Sequence, residues 1–249
     1  MILVVGETKE GNEITKILRS EMSSQCERSD FKTSYGEKAS YGVVSLPGSL
    51  NCPMTTHLIR KYTISVVIDA APIYFKGASL KMLHACRITG ARYIRFEPPM
   101  VNLDEMPLRH KVTSVEKACD KAMGLGKTIF LNIGNNNLNI FSKRAAIENK
   151  RTVVRVTTPG AITNSLKLGI DSHDILLING VFSEAFNRGL IKEYNISVMV
   201  TRELGKENGL EQELSAAAAE NVPAIVIERP KVTYPQVFTD YDSLVREIL

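Results

Sequence analysis

Short runs of β-branched and aliphatic residues alternate with segments of helical period along almost the whole chain, and this alternation limits the fold more than any other feature. Strands that alternate with helices are typical of a parallel sheet with crossover helices. The runs are apolar throughout, as expected for strands covered on both faces. In the first half we predict strands at Ile2–Val5, Val43–Leu46, Ser65–Ile68 and Tyr93–Phe96, and helices at Glu10–Glu21 and Gly77–Thr89.

The same alternation continues after a proline-rich stretch that contains Pro98, Pro99 and Pro107. Adjacent prolines continue neither a helix nor a central strand, so we place a domain link here. The predicted strands beyond it are Lys111–Thr113, Thr128–Asn132, Arg151–Val156, Asp174–Ile178, Ser197–Val200 and Ala224–Ile227. The predicted helices are Ser114–Met123, Ala161–Lys167, Ser183–Ile191, Glu211–Asn221 and Tyr241–Leu249.

The sequence therefore predicts an α/β protein of two Rossmann-like parallel-sheet domains with a ligand cleft between them. Residues 1–107 form the N-terminal domain, expected to be the cofactor side, and residues 108–249 form the C-terminal domain. The last helix can pack back on the N-terminal half. A length of 249 residues fits two small domains or one large one.

Composition excludes several classes of function. The net charge of +4 is dispersed, Trp is absent, and no run of basic residues or nucleic-acid-binding motif occurs. The cysteines have no C-x-x-C pair and the histidines no metal-ligand spacing, so we predict reduced thiols and no metal site; they are Cys26, Cys52, Cys86, Cys119, His57, His84, His110 and His173. No apolar stretch is long enough for a membrane span. These features predict a soluble cytoplasmic protein with no membrane or nucleic-acid partner; its oligomeric state stays open.

Ligands of open parallel sheets bind beyond the carboxyl ends of the strands. After the first strand, Gly6, Glu7 and Thr8 open a turn into a helix whose free N–H groups can hold a phosphate. A plain strand-to-helix turn explains them equally well. Asp69 ends a later strand and is followed by the small Ala70 and Ala71. Small residues let a ligand approach the backbone, although Asp69 can also simply cap the next turn.

Three more polar junctions follow strands in the second half. The turn after Asn132 contains Gly134 and Asn135, and Gly180 precedes Ser183, which also has the position of a helix N-cap. Arg202 is a cation placed directly after a strand. A serine hydrolase is poorly supported, because the sequence has no G-x-S-x-G motif. The Gly124–Thr128 segment precedes a strand, whereas a phosphate loop of the Walker type lies between a strand and a helix.

Taken in order, these junctions resemble the precorrin-6A reductases of cobalamin biosynthesis over most of the chain. The first-half segments that carry the resemblance are Val4–Thr8, Asp69–Phe75 with Ser79, and Tyr93–Pro99. Those of the second half are Asn132–Gly134, Val154–Pro159, Gly180–Glu184 with Asn187, Arg202–Gly205, Gly209, Ala216–Ala217 and Val226–Pro230. The chain departs from the family pattern where a Thr-His pair is reduced to Ala71, a Lys is Arg202, a Ser is Leu204 and a later Lys is Glu213.

The resemblance implies NADPH-dependent hydride transfer to a double bond of a polycarboxylate tetrapyrrole, precorrin-6A or its cobalt form. It implies cofactor binding by Gly6, Glu7, Thr8, Ala70, Ala71, Gly180 and Ser183. It implies substrate binding by Arg95, Gly134, Asn135, Arg155 and Arg202, although each arginine can instead serve in a surface ion pair. The catalytic residue is unknown, and Asp69, Tyr74 and solvent are candidate proton donors.

Two other functions stay open. The missing His and Ser of the family motifs are compatible with a relative that only binds a tetrapyrrole as a carrier or regulator. An NADP-dependent reductase of a smaller substrate is the third possibility, but the Y-x-x-x-K pair of short-chain reductases is absent.

Overall fold

The computed structural model describes residues 1–6, 8–23, 31–32, 38–40, 43–46, 51–105 and 109–249. It divides into two compact units: unit 1 consists of Met1–Pro99 and Pro230–Leu249, and unit 2 of Met100–Arg229. The division falls after Pro99 rather than after Pro107, and the tail after Arg229 belongs with unit 1.

The helices and strands follow one another in the alternation that the sequence indicates. Up to residue 96 they are β1 (Ile2–Val5), α1 (Lys9–Ser23), β2 (Phe31–Lys32), β3 (Lys38–Ser40), β4 (Val43–Leu46), α2 (Cys52–Lys61), β5 (Val66–Asp69), α3 (Lys76–Thr89) and β6 (Arg92–Phe96). Unit 2 contains β7 (Arg109–Val112), α4 (Val115–Leu125), β8 (Thr128–Asn132), α5 (Leu138–Ile147), β9 (Arg151–Val156), α6 (Pro159–Lys167), β10 (Ile175–Leu177), α7 (Glu184–Glu193), β11 (Val198–Arg202), α8 (Leu210–Ala219) and β12 (Ala224–Ile227). The tail adds β13 (Val237–Phe238) and α9 (Tyr241–Ile248).

Unit 1 is built on a seven-stranded sheet with the order β13-β6-β5-β1-β4-β3-β2. The strands from β13 to β4 are parallel, and β3 and β2 continue the sheet in antiparallel pairing. The chain leaves β1 towards β4 on one side and returns to β5 on the other. The strand order therefore reverses between β1 and β5, which is where ligands bind in sheets of this kind.

Unit 2 is built on a six-stranded, wholly parallel sheet with the order β10-β9-β8-β11-β12-β7. From β8 the chain proceeds outward through β9 and β10, then returns to the other side of β8 with β11. The reversal between β8 and β11 marks the second position at which a ligand site is expected. The predicted α/β class with Rossmann-like parallel sheets is confirmed.

The tail completes unit 1 by backbone pairing and by apolar burial. Arg95 N donates to Gln236 O and Glu97 N to Phe238 O, each at 2.9 Å, so β13 extends the sheet beyond β6. Leu244 of α9 is fully buried in the core around β1 and α1. These contacts explain why residues 230–249, which the sequence assigned to the C-terminal domain, group with unit 1.

Candidate functional site

In unit 1, the turn after β1 packs directly on the turn after β5. A Cβ atom at Gly6 would lie 2.5 Å from the carbonyl oxygen of Ala70, and the φ of Gly6 is +141°, so glycine alone fits this position. Thr8 Oγ1 donates to Ala70 O at 3.1 Å and accepts from Gly11 N at 2.9 Å. The predicted cofactor residues Gly6, Thr8 and Ala70 are therefore brought together at the reversal of strand order.

The spacing of this turn matches two of the three glycines of a dinucleotide-binding loop. A Cβ at Gly11 would overlap the carbonyl oxygen of Gly6, so the first turn of α1 packs tightly against the turn. In a G-x-G-x-x-G loop the first glycine allows the tight turn and the third allows this helix–strand packing. Thr8 occupies the position of the second glycine of the motif, and its hydroxyl is hydrogen-bonded to Ala70 O and Gly11 N. The turn fits a phosphate at the start of α1; Glu7 lies outside the described residues.

Asp69 ends β5 and ties the neighbouring strand to this turn. Its carboxylate accepts from Ala71 N at 2.9 Å, from Tyr93 Oη at 2.6 Å and from Arg95 Nη1 at 2.9 Å. Burial and the carboxylate of Asp69 raise the pKa of Tyr93, so the phenol stays protonated and donates. Asp69 is an acceptor that fixes the position of Ala71, with its own side chain fully buried.

Arg95 lies inside unit 1, with no exposure of its side chain. Its Nε donates to Glu97 Oε1 at 3.0 Å, and its guanidinium lies 5.6 Å from the ring centre of Tyr234. Burial lowers the pKa of Arg95, but the carboxylates of Asp69 and Glu97 together raise it by more, so the guanidinium stays positively charged. The residue that the sequence predicts for substrate binding thus belongs to the interior of unit 1. Tyr74, a candidate proton donor, is half-buried in the turn before α3.

In unit 2, a buried carboxylate lies where the strand order reverses. Glu213 of α8 accepts from Asn132 Nδ2 at 2.7 Å and from Thr201 Oγ1 at 2.9 Å, at the ends of β8 and β11. Arg155 of β9 donates to the same carboxylate at 3.2 Å. Burial raises the pKa of Glu213 to about 7, although Thr201, Arg155 and Asn132 lower it in part.

Arg155 connects this carboxylate to the loop after β10. Besides Glu213, it donates to the carbonyl oxygens of Ile178, at 3.4 Å, and Gly180. Its guanidinium lies 4.9 Å from the ring centre of Phe182. Two predicted site residues, Arg155 and Gly180, are thus in direct contact, and the arginine holds the loop in place.

The turn after β8 brings Gly134 under Arg202. Gly134 has a φ of +75°, and a Cβ there would lie 3.7 Å from Arg202 Nη1, so the guanidinium covers the turn. The adjacent Asn135 lines a groove of about 640 Å³ between this turn and the start of α6. The other polar side chains of the groove are those of Asn136, Asn139, Thr158 and Asn164. Three of the predicted substrate residues, Gly134, Asn135 and Arg202, are therefore neighbours.

Ser183 is the N-cap of α7, where its hydroxyl accepts from Phe186 N at 3.3 Å. Capping of α7 therefore explains the presence of a serine at this position without a bound ligand.

Several residues of the two clusters were not predicted. Asn132 and Thr201 lie at or next to the ends of strands beside the reversal, in segments that the strand-end argument does select, but they were not named as site residues. The sequence marks Glu213 only as a departure from the family pattern, and its position on the apolar face of α8, next to the buried Leu210 and Leu214, could have indicated a buried carboxylate. Nothing in the local pattern marks Tyr234, which reaches Arg95 from the distant tail.

Cys52, Cys86 and Cys119 are free thiols, while Cys26 lies outside the described residues. Burial raises the pKa of Cys86 to about 12 and that of Cys119 to about 11. Among the described residues, no three His, Cys, Asp or Glu side chains are grouped as metal ligands. A search of the same described part of the chain finds no helix with the length and apolar character of a membrane span.

Comparison with known proteins gives matches over nearly the full length. The family model described as "Precorrin-6x reductase CbiJ/CobK" matches residues 1–248. The cobalt-precorrin-6A reductase of Methanocaldococcus jannaschii is 28% identical over 250 residues, covering 99% of this chain and 97% of that protein. The cobalt-precorrin-6A reductase of Methanococcus maripaludis is 29% identical, with 95% and 94% covered.

A solved structure has the same fold. The structure titled CobK precorrin-6A reductase superposes with a TM-score of 0.77 and 21% identity, and the alignment covers 99% of this chain and 95% of that one. A family model that spans nearly the whole chain, together with this fold, establishes that the chain belongs to the precorrin-6x reductase CbiJ/CobK family.

Proposed function

We propose that this chain catalyses the NADPH-dependent reduction of a macrocycle double bond in precorrin-6A, or in cobalt-precorrin-6A, to the 6B form during cobalamin biosynthesis. The observation that carries the proposal is the family match over residues 1–248. The polar clusters at both reversals of strand order support it, because such positions bind ligands in Rossmann-like sheets. The names of the two archaeal relatives favour the cobalt form as the first substrate to try.

The turn from Gly6 to Gly11 is the place where this chain would hold a phosphate of the cofactor. NADPH supplies the hydride when bound, and the protein has to orient it and exclude water. Gly6 lets the turn approach Ala70, and Thr8 locks the two turns together. The backbone N–H groups at the start of α1, apart from that of Gly11, which donates to Thr8, would then face the phosphate.

Arg202 is our choice for binding the carboxylates of the macrocycle. It lies over Gly134, next to the groove that Asn135 lines. Arg155 and Arg95 are engaged with buried carboxylates and act by holding the loops and turns around them. As proton donor we favour Tyr74 over Asp69, because Asp69 already accepts hydrogen bonds from three donors.

The first experiment is a fluorescence titration of the purified protein with NADPH, and with NADH as the control. We expect micromolar binding that is selective for NADPH, followed by turnover in an anaerobic assay with precorrin-6A and its cobalt form. Absence of binding of either nucleotide by the folded protein would reject the reductase. Binding of the macrocycle without turnover would favour the carrier function, and binding of NADPH without the macrocycle would favour a reductase of a smaller substrate.

The role of Arg202 is tested by Arg202→Gln, with Lys206→Gln as the matched control. Both changes remove one positive charge from the same loop, and Lys206 is exposed. Loss of a charge-assisted hydrogen bond to a carboxylate should raise the KM for the macrocycle about tenfold in the Arg202 variant, with little change in the control. Equal effects in both variants would show that only the overall charge of the loop matters.

A further inference from the structure

A line of contacts runs from the buried carboxylate of Glu213 to an exposed aromatic ring. Arg155 Nη1 donates to Glu213 Oε1 at 3.2 Å, and the guanidinium of Arg155 lies 4.9 Å from the ring centre of Phe182. Phe182 in turn stacks on Phe186, with ring centres 4.5 Å apart and planes inclined by 23°. The line begins at Glu213, a residue that is 4% exposed, and ends at Phe186, a residue that is 39% exposed.

The loop that carries Phe182 and leads into α7, the helix of Phe186, depends on Arg155 for its position. Arg155 donates to the carbonyl oxygens of Ile178 and Gly180, on either side of Asn179. Gly180 has a φ of +140°, which glycine adopts readily and other residues rarely do. Arg155 holds this flexible part of the loop from β9 through the two hydrogen bonds, and Glu213 fixes Arg155.

The outer end of the line is a small apolar surface. Phe186 is 39% exposed and Val181 is 57% exposed. A Cβ at Gly209 would lie 3.0 Å from Val181, so this surface adjoins the loop that starts with Arg202. An exposed phenylalanine ring beside a cation-bearing loop suits a flat, conjugated ring system with carboxylate substituents, because aromatic rings stack and the cation pairs with a carboxylate.

We propose that Glu213 is a positioning residue that, through Arg155, holds the Phe182–Phe186 pair as a stacking surface for the flat macrocycle. The proposal rests on the proposed function, since it names the part of unit 2 that contacts the ring face of that substrate. Glu213 itself accepts hydrogen bonds from three protein groups, Asn132, Arg155 and Thr201.

The ionisation state of the Glu213 carboxyl determines how strongly it binds Arg155, and therefore how well the loop is held. The groups that face its carboxylate are Asn132 from β8, Arg155 from β9 and Thr201 from β11, of which Arg155 is the charged one. Burial raises the pKa of Glu213 to about 7, so its ion pair with Arg155 weakens as the pH falls through neutrality. The loop should then loosen, and the stacking surface should lose its fixed position.

The same strand offers a matched control. Arg151 stands at the opposite end of β9 and pairs with Asp174, a buried carboxylate whose Oδ1 lies 2.6 Å from Arg151 Nη2. Glu213→Gln and Asp174→Asn therefore each neutralise one arginine-bound carboxylate in unit 2. The first pair contacts Phe182 and the carbonyl groups of Ile178 and Gly180, whereas Arg151 of the second pair contacts Tyr194 at the far end of α7.

The test compares both variants with the unmodified protein by hydrogen–deuterium exchange of the peptide that covers residues 178–187, corrected for the intrinsic effect of pH. We expect exchange about tenfold faster in Glu213→Gln than in Asp174→Asn at pH 8, because a charged hydrogen bond is lost. In the unmodified protein the exchange should rise between pH 8 and pH 6. Unchanged exchange in Glu213→Gln, or no pH dependence in the unmodified protein, would overturn the proposal. The second measurement needs no variant and stays informative if Glu213→Gln does not fold.

Steady-state kinetics separates positioning from general stability. Glu213→Gln and Phe186→Leu should each raise the KM for the macrocycle about five- to tenfold with a small change in kcat, because ring contacts are lost while the reacting groups stay. The KM of the unmodified protein should rise below pH 7, and that of Glu213→Gln should not. A fall in kcat with unchanged KM would contradict the proposal. If no macrocycle is reduced at all, the reductase is rejected, whereas the exchange data still decide whether Glu213 holds the loop.

Discussion

Each unit contains a buried arginine–carboxylate pair beside the reversal of its strand order, and the two pairs are built differently. In unit 1, Asp69 and Arg95 end neighbouring strands, and neither side chain is exposed. In unit 2, Glu213 comes from a helix and Arg155 from a strand, with 5% and 9% of their side chains exposed.

The difference lies in what else each arginine contacts. Arg95 donates to Glu97 and lies against Tyr234, so its surroundings are all within the core and sheet of unit 1. Arg155 donates to the exposed Gly180 and lies against Phe182. The contacts of Arg95 with Glu97 and Tyr234 join parts of unit 1 and stabilise that unit, whereas the contacts of Arg155 reach an exposed loop and control its position.

The largest effect is expected from Arg95→Met. The variant leaves Asp69 buried without its cation, and breaking such a pair costs about 3–5 kcal/mol of unfolding free energy. Urea denaturation measures the loss. The control is Arg92→Met, at another arginine of β6. This change removes the more exposed ion pair of Arg92 with Glu247 of α9 and should cost less than about 1 kcal/mol of unfolding free energy. Equal losses in both variants would contradict the structural role of the Asp69–Arg95 pair.

Glu213→Gln should remove one component of the pH dependence of stability. A carboxyl whose folded pKa is raised favours the folded state while it is protonated, and this contribution is lost as the pH rises. For Glu213 the window runs from the ordinary 4.5 to about 7. The unfolding free energy of the unmodified protein should therefore fall by at most ~3 kcal/mol relative to the variant across this window.

Urea unfolding of both proteins between pH 4.5 and pH 8 gives the difference directly, because the other titrating groups cancel. A constant difference would show that Glu213 keeps an ordinary pKa, and the pH-dependent part of the loop proposal would then be lost as well.

A smaller difference in unfolding free energy is expected between alanine variants of two glycine turns, one in each unit. An alanine at Gly6 would meet the backbone of Ala70 at 2.5 Å at a φ of +141°, whereas one at Gly134 would meet only the flexible Arg202 at 3.7 Å. Gly6→Ala should therefore cost about 2–4 kcal/mol and Gly134→Ala about 1 kcal/mol. Thermal or urea unfolding of the two variants tests this order, and the reverse order would mean that the turn after β1 relaxes easily.

The sequence predicts most strands of the two sheets, because a strand that is buried on both faces is a short, continuous apolar run. Such runs can be recognised without knowledge of distant contacts. The predicted Ile2–Val5, Thr128–Asn132 and Ala224–Ile227 are strands with identical bounds in the structure. Helices α2 and α5 were not predicted. The first starts at an Asn51 cap followed by Pro53, and the second follows the asparagine-rich turn after β8, so both starts have the composition of loops.

The candidate site could be predicted only where its residues follow strands. Gly6, Ala70, Gly134 and Arg202 have such positions, and the structure brings the first two together in unit 1 and the last two in unit 2. Whether an arginine after a strand points to solvent or to a buried carboxylate depends on contacts between distant segments. The partner of Arg95 is 26 residues away and that of Arg155 is 58 residues away. Local patterns carry no information on such pairs.

The pairing of β13 with β6 has a consequence for the order in which the protein folds as it is synthesised. Unit 2 is one continuous segment, Met100–Arg229, and is complete before Pro230 is added. Unit 1 has its first 99 residues made earliest, yet it obtains its edge strand and α9 from the last residues of this chain. The half of the protein that is translated first is therefore the half that is finished last, and its open sheet edge at β6 must wait for the tail.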